Sequence, residues 1–456
     1  MTHVPDLDAG AVVAVDAFIE DRLDDLVALT RELVRFDTVS VDLAPGSEHR
    51  DNDEAALQEM VGGVLADLGA DVDQWEPDAG ELRDHPMMPP WHHWQGRPLT
   101  VGTVRGAGDG RSLIINGHID VVSTGDPARW TSPPFAAEVR DGRIYGRGAV
   151  DMKGGIASAI FALQGLREVG ARLAADVIVE VVPDEETCAM GTVAAIERGY
   201  RADAGLVPEP TLLNVWIATR GLLHGSFVVP GRSAHAEMNQ PPWREGGGVN
   251  AIERALPLLA SLGELSDRWA SREDKRHPLL GIPRVQPTII AGGTFIANFP
   301  ETCEVHLNAT YLPGDADEAG YGSGPRREIL DAVEAATGDD DWLQANAVRW
   351  RWATDYPPSE IDPAEPILAV ARAAAAAIGA DSHHEGIDTT YDGALLTRLA
   401  GVPSPAFGPG DLRRAHALDE WVGIDELAAG ARAYARALLA WCGSASHGQS
   451  RKQGGP

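Results

Sequence analysis

Cysteine is nearly absent: three in 456 residues, Cys188, Cys303 and Cys442, far apart along the chain. So odd and scattered a set builds neither a disulfide framework nor a CxxC zinc site. Basic residues are also short, 38 against 68 acidic, for a formal net charge of −30. Such a chain lacks the basic surface that a nucleic-acid groove or an anionic membrane requires. No apolar stretch runs unbroken for the ~18 residues of a membrane-spanning helix. The opening MTHVPDLDAGAVVAVDAFIEDRLDD has no basic segment ahead of its apolar run, as a secretory signal would. A soluble cytoplasmic protein is therefore expected. What remains is ordinary: 44% hydrophobic residues, and length for two or three domains or one domain with an insertion.

The apolar pattern orders the chain. AFIEDRLDDLVALTRELVRF repeats apolar residues near i, i+3, i+4 and i+7 and predicts an amphipathic helix; AALQEMVGGVLADLG predicts a second. Residues 76–98, rich in Pro, His and Trp without a period, read as a long irregular loop. Its Trp91, His92, His93 and Trp94 would either line the path of an aromatic substrate or pack over the first helices, and packing is the favoured expectation. SLIING at 112–117, DVIVEVV at 176–182 and AGLV at 204–207 are continuous apolar runs, the mark of strands covered on both faces. A helix, GGIASAIFALQGLREVG, separates the first two, and strand–helix–strand order points to an α/β sheet. After Thr211 the order becomes β-α-β-β-α-β, which is ferredoxin-like. An inserted α+β domain at 216–356 is thus expected to divide a domain made of 1–215 and 357–442, with 443–456 a disordered tail.

Polar clusters follow the apolar runs. His118 and Asp120 come after the first, in NGHIDVV, and Asp151 precedes a helix in GRGAVDMKGG. Asp184, Glu185 and Glu186 stand in a row in PDEETCAMGT; Glu209 lies in VPEPT and His416 in FGPGDLRRAHALDE. Ligands of open α/β sheets bind outside the carboxyl ends of the strands, where these side chains would converge. Two histidines with several carboxylates suit a hydrolytic metal centre. Cations are the natural compensation for so dense a negative charge. Each residue alone has a plainer role. Asp151 would cap a helix, the two glutamates would face a helix dipole, Glu209 would sit in an exposed turn and His416 would be structural. Taken together and in this order, coincidence is the weaker account.

Those five motifs, in that order, resemble the M20 metallopeptidases, in particular their acetylornithine deacetylase/succinyl-diaminopimelate desuccinylase branch, from about residue 20 to 440. The resemblance implies an α/β zinc-hydrolase domain with a mixed central sheet flanked by helices, and makes the ferredoxin-like insertion a lid and dimerisation domain. It implies His118 and Glu209 on one zinc, Glu186 and His416 on the other, and Asp151 bridging them. Asp120 would orient the His118 imidazole. Glu185 would be the general base, taking a proton from a metal-bridged water and delivering it to the departing amine. His235, in GRSAHAE, would reach the partner subunit's site and polarise the scissile carbonyl. Asn298 would contact substrate, and Gly408 and Gly410 would shape a turn that brings backbone groups near it.

Two divalent ions, Zn²⁺ with Co²⁺ as an alternative, a small N-acyl amide substrate and a homodimer follow from the same resemblance. The expected activity is deacylation of a small N-acylated amine or amino acid. A dipeptidase and an N-carbamoyl hydrolase need the same attack and stay open. The non-enzyme alternative, a silent metal-binding homologue, is disfavoured because Glu185, Asp120 and His235 are all present. A phosphoesterase lacks its basic clamp. One departure stands out: Thr310, in NATYLPGD, occupies the place where many relatives carry an Arg that recognises a substrate carboxylate. Arg220 and Arg232, the available substitutes, are read as solvent-facing. Asp184 has no role in this reading.

Overall fold

The computed structural model describes residues 8–40, 52–89, 92 and 94–445. Trp91, His93 and the tail beyond 445 lie outside the described residues.

Five strands form the central sheet: β1 (Asp71–Trp75), β2 (Leu99–Val104), β3 (Leu113–His118), β4 (Val177–Val182) and β5 (Ala204–Leu206). Their order is β1-β2-β4-β3-β5. β3 runs parallel to β4 and β5, while β2 is antiparallel to β1 and β4, so the sheet is mixed. LIINGH and VIVEVV are buried at every position, as their unbroken apolarity predicts for strands covered on both faces. Register then sets up the site. His118 pairs with Val182, so β3 and β4 end side by side and release their following loops at one edge. The buried helices Gly154–Glu168 and Ile424–Cys442 pack against one another on this sheet. Gly155 allows the first to start close to the loop after β5, because a Cβ there would lie 2.0 Å from the Pro208 carbonyl oxygen.

A second sheet contains β6 (Gly221–Pro230), β7 (Val285–Gly292), β8 (Thr302–Tyr311) and β9 (Arg349–Tyr356), ordered β7-β8-β6-β9 and antiparallel throughout. With helices Ala251–Ser271 and Ser323–Ala336 this is the β-α-β-β-α-β unit expected from the sequence. β8 alternates buried and half-buried residues, the period of a sheet with one covered face. Phe227, Leu258, Val305 and Ile329 fill that side. β7 is a sheet edge, and all but its first residue are exposed.

Between the sheets, Val215–Thr219 pairs in parallel with His384–Ile387 and antiparallel with Ser359–Glu360. Among the described residues no helix is long and apolar enough to cross a membrane.

Candidate metal centre

The loops released at the ends of β3, β4 and β5 meet the segment ahead of helix Gly154–Glu168. His118 is 1% exposed, and its Nδ1 lies 2.9 Å from the Asp120 carbonyl oxygen. A proton on Nδ1 leaves the Nε2 lone pair facing Asp151 Oδ1 at 3.4 Å, Glu209 Oε1 at 3.8 Å and Glu185 Oε2 at 3.9 Å. Nε2 has no hydrogen-bond partner despite its burial. Only a proton or a cation can reconcile a lone pair with three carboxylates around it. On the other side of Asp151, His416 Nε2 lies 3.4 Å from Oδ2 and 3.2 Å from Glu186 Oε1. The donor atoms of His118, Asp151 and Glu209 all lie within 4.8 Å of one another, as do those of Asp151, Glu186 and His416. The two groups share Asp151, and their imidazole and carboxylate donors fit divalent transition ions.

Burial and charge act together here. Burial pushes the Glu185 and Glu209 carboxyls well above the usual range. It likewise raises Asp120 to about 7, against the pull of His118. For His118, burial favours the neutral ring, but Asp151 and the surrounding carboxylates outweigh it and hold the pKa well above its ordinary value. Hydrogen bonds to Asp151 and Glu186 raise His416 to about 10. Asp151 is held low: burial would raise it, and the two histidines overcome that. Two imidazoles crowded by carboxylates in this way are a set that a divalent ion would compensate on binding, with release of protons.

Neighbouring groups hold the ligand candidates in place. The Asp120 carboxylate accepts the amide N–H of Glu185 at 3.1 Å and of Glu186 at 3.0 Å, which ties the loop after β3 to the loop after β4. The sequence suggested that it would orient His118; its Oδ1 is 3.6 Å from Nδ1, and the carbonyl makes the shorter contact. Glu420 accepts the N–H groups of Val150 and Asp151 at 3.1 and 3.3 Å and is itself held by Arg147 at 2.6 Å. Both residues stand inside quoted motifs, as the Glu of the DE after His416 and the Arg of GRG, yet their partnership spans 273 residues.

Asp184 acquires a role that sequence reasoning missed. Its φ is +85°, and its carbonyl oxygen accepts the N–H groups of Thr187, Cys188 and Ala189. The carboxylate is fully buried and takes Arg97 Nη1 at 2.8 Å and the Cys188 thiol at 2.8 Å, with His92 Nε2 at 3.2 Å. Arg97 also forks the buried Glu54 at 2.7 and 3.0 Å. Asp184 therefore anchors the turn from below, while Glu185 and Glu186 line a cavity of about 430 Å³ together with Asp151, Glu209 and His416. His92 and Trp94 do pack, but on the face of the central sheet beside Cys188 instead of over the first helices.

Other candidates lie elsewhere. His235 and Asn298 pair in an isolated antiparallel bridge, both exposed, and line no part of this cavity in the single chain. Gly408 abuts the segment that carries Glu209: a Cβ would lie 2.5 Å from the Glu209 carbonyl oxygen, and its N–H donates to Thr211 Oγ1 at 3.1 Å. Gly410 turns the chain at φ +90°. The solvent-facing reading of Arg220 and Arg232 is wrong. Arg220 is 9% exposed, pairs with Asp388 at 2.7 Å and reaches Thr310 Oγ1 at 3.4 Å. Arg232 is half-buried, donates to the Trp243 and Gly247 carbonyls and lies over the Trp342 ring. Two carbonyls hold Arg232, and Asp388 and Thr310 hold the Nη groups of Arg220, while its buried Nε has no partner among the described residues; a linear pattern reveals none of this.

Residues 114–440 match peptidase family M20/M25/M40. Over 440 residues the chain is 27% identical to N-formyl-4-amino-5-aminomethyl-2-methylpyrimidine deformylase of Bacillus subtilis, covering 93% of this chain and 96% of that protein. It is 31% identical over 267 residues to succinyl-diaminopimelate desuccinylase of Paracidovorax citrulli, covering 56% and 63%. Among solved structures, a dinuclear metal binding peptidase of Bacillus subtilis has the same fold, with a TM-score of 0.60 at 16% identity and coverage of 92% of this chain and 98% of that one.

Proposed function

Because the chain belongs to peptidase family M20/M25/M40, we propose that it hydrolyses the amide bond of a small N-acylated amine or amino acid. The carrying observation is the pair of three-residue donor groups that share Asp151, with Glu185 lining the same cavity. His118 and Glu209 would hold one divalent ion and Glu186 and His416 the other, with Asp151 common to both. Zn²⁺ suits these donors, and Co²⁺ would substitute. When bound, the ions polarise the amide carbonyl and make water acidic enough to be deprotonated near neutrality.

The chain's own residues supply the proton chemistry. Glu185 takes the proton from the attacking water and hands it to the departing nitrogen, so that the amine leaves neutral. Asp120 fixes the Glu185 backbone N–H, so the base meets the cavity from a held position. The deformylase relative directs attention to formamides of aminomethylated heteroaromatic rings as first substrates. A hydrolysis panel of such formamides, N-acetyl amino acids, dipeptides and N-carbamoyl amino acids tests the reading. Cleavage of the acylated amines is expected. Cleavage of dipeptides alone would make it a peptidase, and no cleavage by metal-loaded protein would end the hydrolase reading.

His235 is read as acting on the neighbouring subunit, through a lid formed by residues 216–356. Its support is local: His235 and Asn298 are exposed beside Phe295 and Ile296, the latter 97% exposed, and edge strand β7 exposes Ile289 and Ile290. Exposed apolar residues on an unpaired edge are the features of a strand that finds a partner. Sedimentation equilibrium is expected to return twice the mass of the chain; a monomer at tens of micromolar protein would remove His235 from the mechanism.

A further inference from the structure

The cavity that Glu185 lines is also walled by residues outside the ligand set: Trp216, Tyr391, His224, Thr354, Thr389 and Thr390. Three large rings, Trp216, Tyr356 and Tyr391, line it. The buried Tyr356 hydroxyl has no hydrogen-bond partner among the described residues, while Trp216 and Tyr391 have their polar ends engaged away from the cavity. Trp216 Nε1 donates to Glu385 at 3.2 Å, and the Tyr391 hydroxyl donates to the Ser404 carbonyl at 3.0 Å. These two rings meet edge to face at 6.5 Å, and what they offer a ligand is apolar aromatic surface.

The polar wall comes from the second sheet, where His224 on β6 lies across from Thr354 on β9. Asn308 Nδ2 lies 3.4 Å from His224 Nε2. With the Asn308 amide assigned so that Nδ2 faces the ring, Nδ2 donates, Nε2 accepts and the ring proton belongs on Nδ1. Nδ1 then donates to Thr354 Oγ1 at 3.1 Å. Burial keeps His224 below its ordinary pKa, in agreement with a neutral ring. The Thr354 oxygen has thereby accepted, and its own hydrogen is available to a ligand in the cavity.

Charge points the same way. No Arg or Lys lines the cavity among the described residues. Arg220 is engaged by Asp388 and Thr310. Asp151, Glu185, Glu186 and Glu209 already match the charge of two divalent ions. A substrate carboxylate would enter with no cation to meet it, and an unpaired buried charge is strongly disfavoured.

We propose that the amine half of the substrate is a flat ring without a carboxylate, carrying a hydrogen-bond acceptor that takes the Thr354 hydroxyl as His224 orients it. This rests on the amide-hydrolase reading above and names its substrate class and two specificity residues.

Two matched comparisons test it. N-formyl-2-phenylethylamine and N-formylphenylalanine differ only by a carboxylate, and kcat/KM is expected to favour the first by about a hundredfold. The three pyridylmethyl formamides differ from N-formylbenzylamine only by a ring nitrogen. At least one isomer is expected to bind about tenfold tighter than the benzyl compound. Thr354→Val should erase that advantage, so that the best pyridyl isomer binds no tighter than the benzyl compound measured in the same variant; His224→Phe should do the same, and Thr354→Ser should keep the advantage. Binding is read by calorimetry in Glu185→Gln protein, with circular dichroism as the check on folding. A preference for the carboxylated compound, no isomer better than benzyl, or equal losses for both compounds in Thr354→Val would each overturn the proposal. Failure of wild-type protein to cleave any amide would instead end the hydrolase reading, because the calorimetry needs no turnover.

Discussion

Glu185→Gln is expected to keep close to two metal equivalents and to lose about 10²–10⁴-fold in kcat. Glutamine has the size of glutamate but cannot accept the proton of the attacking water. Glu185 belongs to neither of the donor groups that share Asp151, so the ions should stay. Its backbone N–H remains on Asp120 at 3.1 Å whatever the side chain, so the turn should keep its shape. Metal analysis of the purified variant together with single-turnover kinetics checks both halves. Activity near wild type would mean that another group carries the proton. A variant that came out metal-free would make Glu185 a ligand, and the base would then have to be sought elsewhere in the cavity.

Exhaustive chelation is expected to abolish amide hydrolysis, and Zn²⁺ or Co²⁺ should restore it. Activity that survived chelation would remove the metal mechanism altogether. The same experiment carries a thermodynamic signature. In metal-free protein, hydrogen bonds to Asp151 and Glu186 raise His416 to about 10, and Asp151 holds His118 high against the effect of burial. His416 is therefore protonated at neutral pH in metal-free protein and must lose that proton to bind an ion. Metal binding should release protons, and affinity should rise with pH across the neutral range. Calorimetry in two buffers of different ionisation enthalpy reads the number released; no release would contradict the charge state derived for the cluster. Reloading should also raise the unfolding temperature. At a hundred times Kd, ligand linkage stabilises by about 2.7 kcal/mol.

Much of the fold was legible because its signals are local. VIVEVV announces a strand covered on both faces by its own side chains, and the β-α-β-β-α-β order follows from successive periods within short windows. The metal-type residues were legible for a chemical reason, since histidines and carboxylates after strand-like runs are where an α/β sheet collects its site. The burial of Arg220 was not legible, because a guanidinium leaves solvent only if the fold brings it an Asp388, and that partner lies far along the chain. The hold of Glu420 on the Asp151 loop was hidden in the same way.

The run Asp184-Glu185-Glu186 shows where the division falls. By itself the sequence determined that three carboxylates follow a buried strand, and hence that cations must meet them. Only the tertiary structure decided which cation each receives. Asp184, in a left-handed turn, points inward to Arg97, 87 residues away, which also holds Glu54. Glu185 and Glu186 line the cavity opposite, next to His118 of β3 and the distant His416 loop. Neighbouring like charges are tolerable only when their compensation comes from separate directions, and direction is a property that the register of β3 on β4 and the packing beneath the turn create.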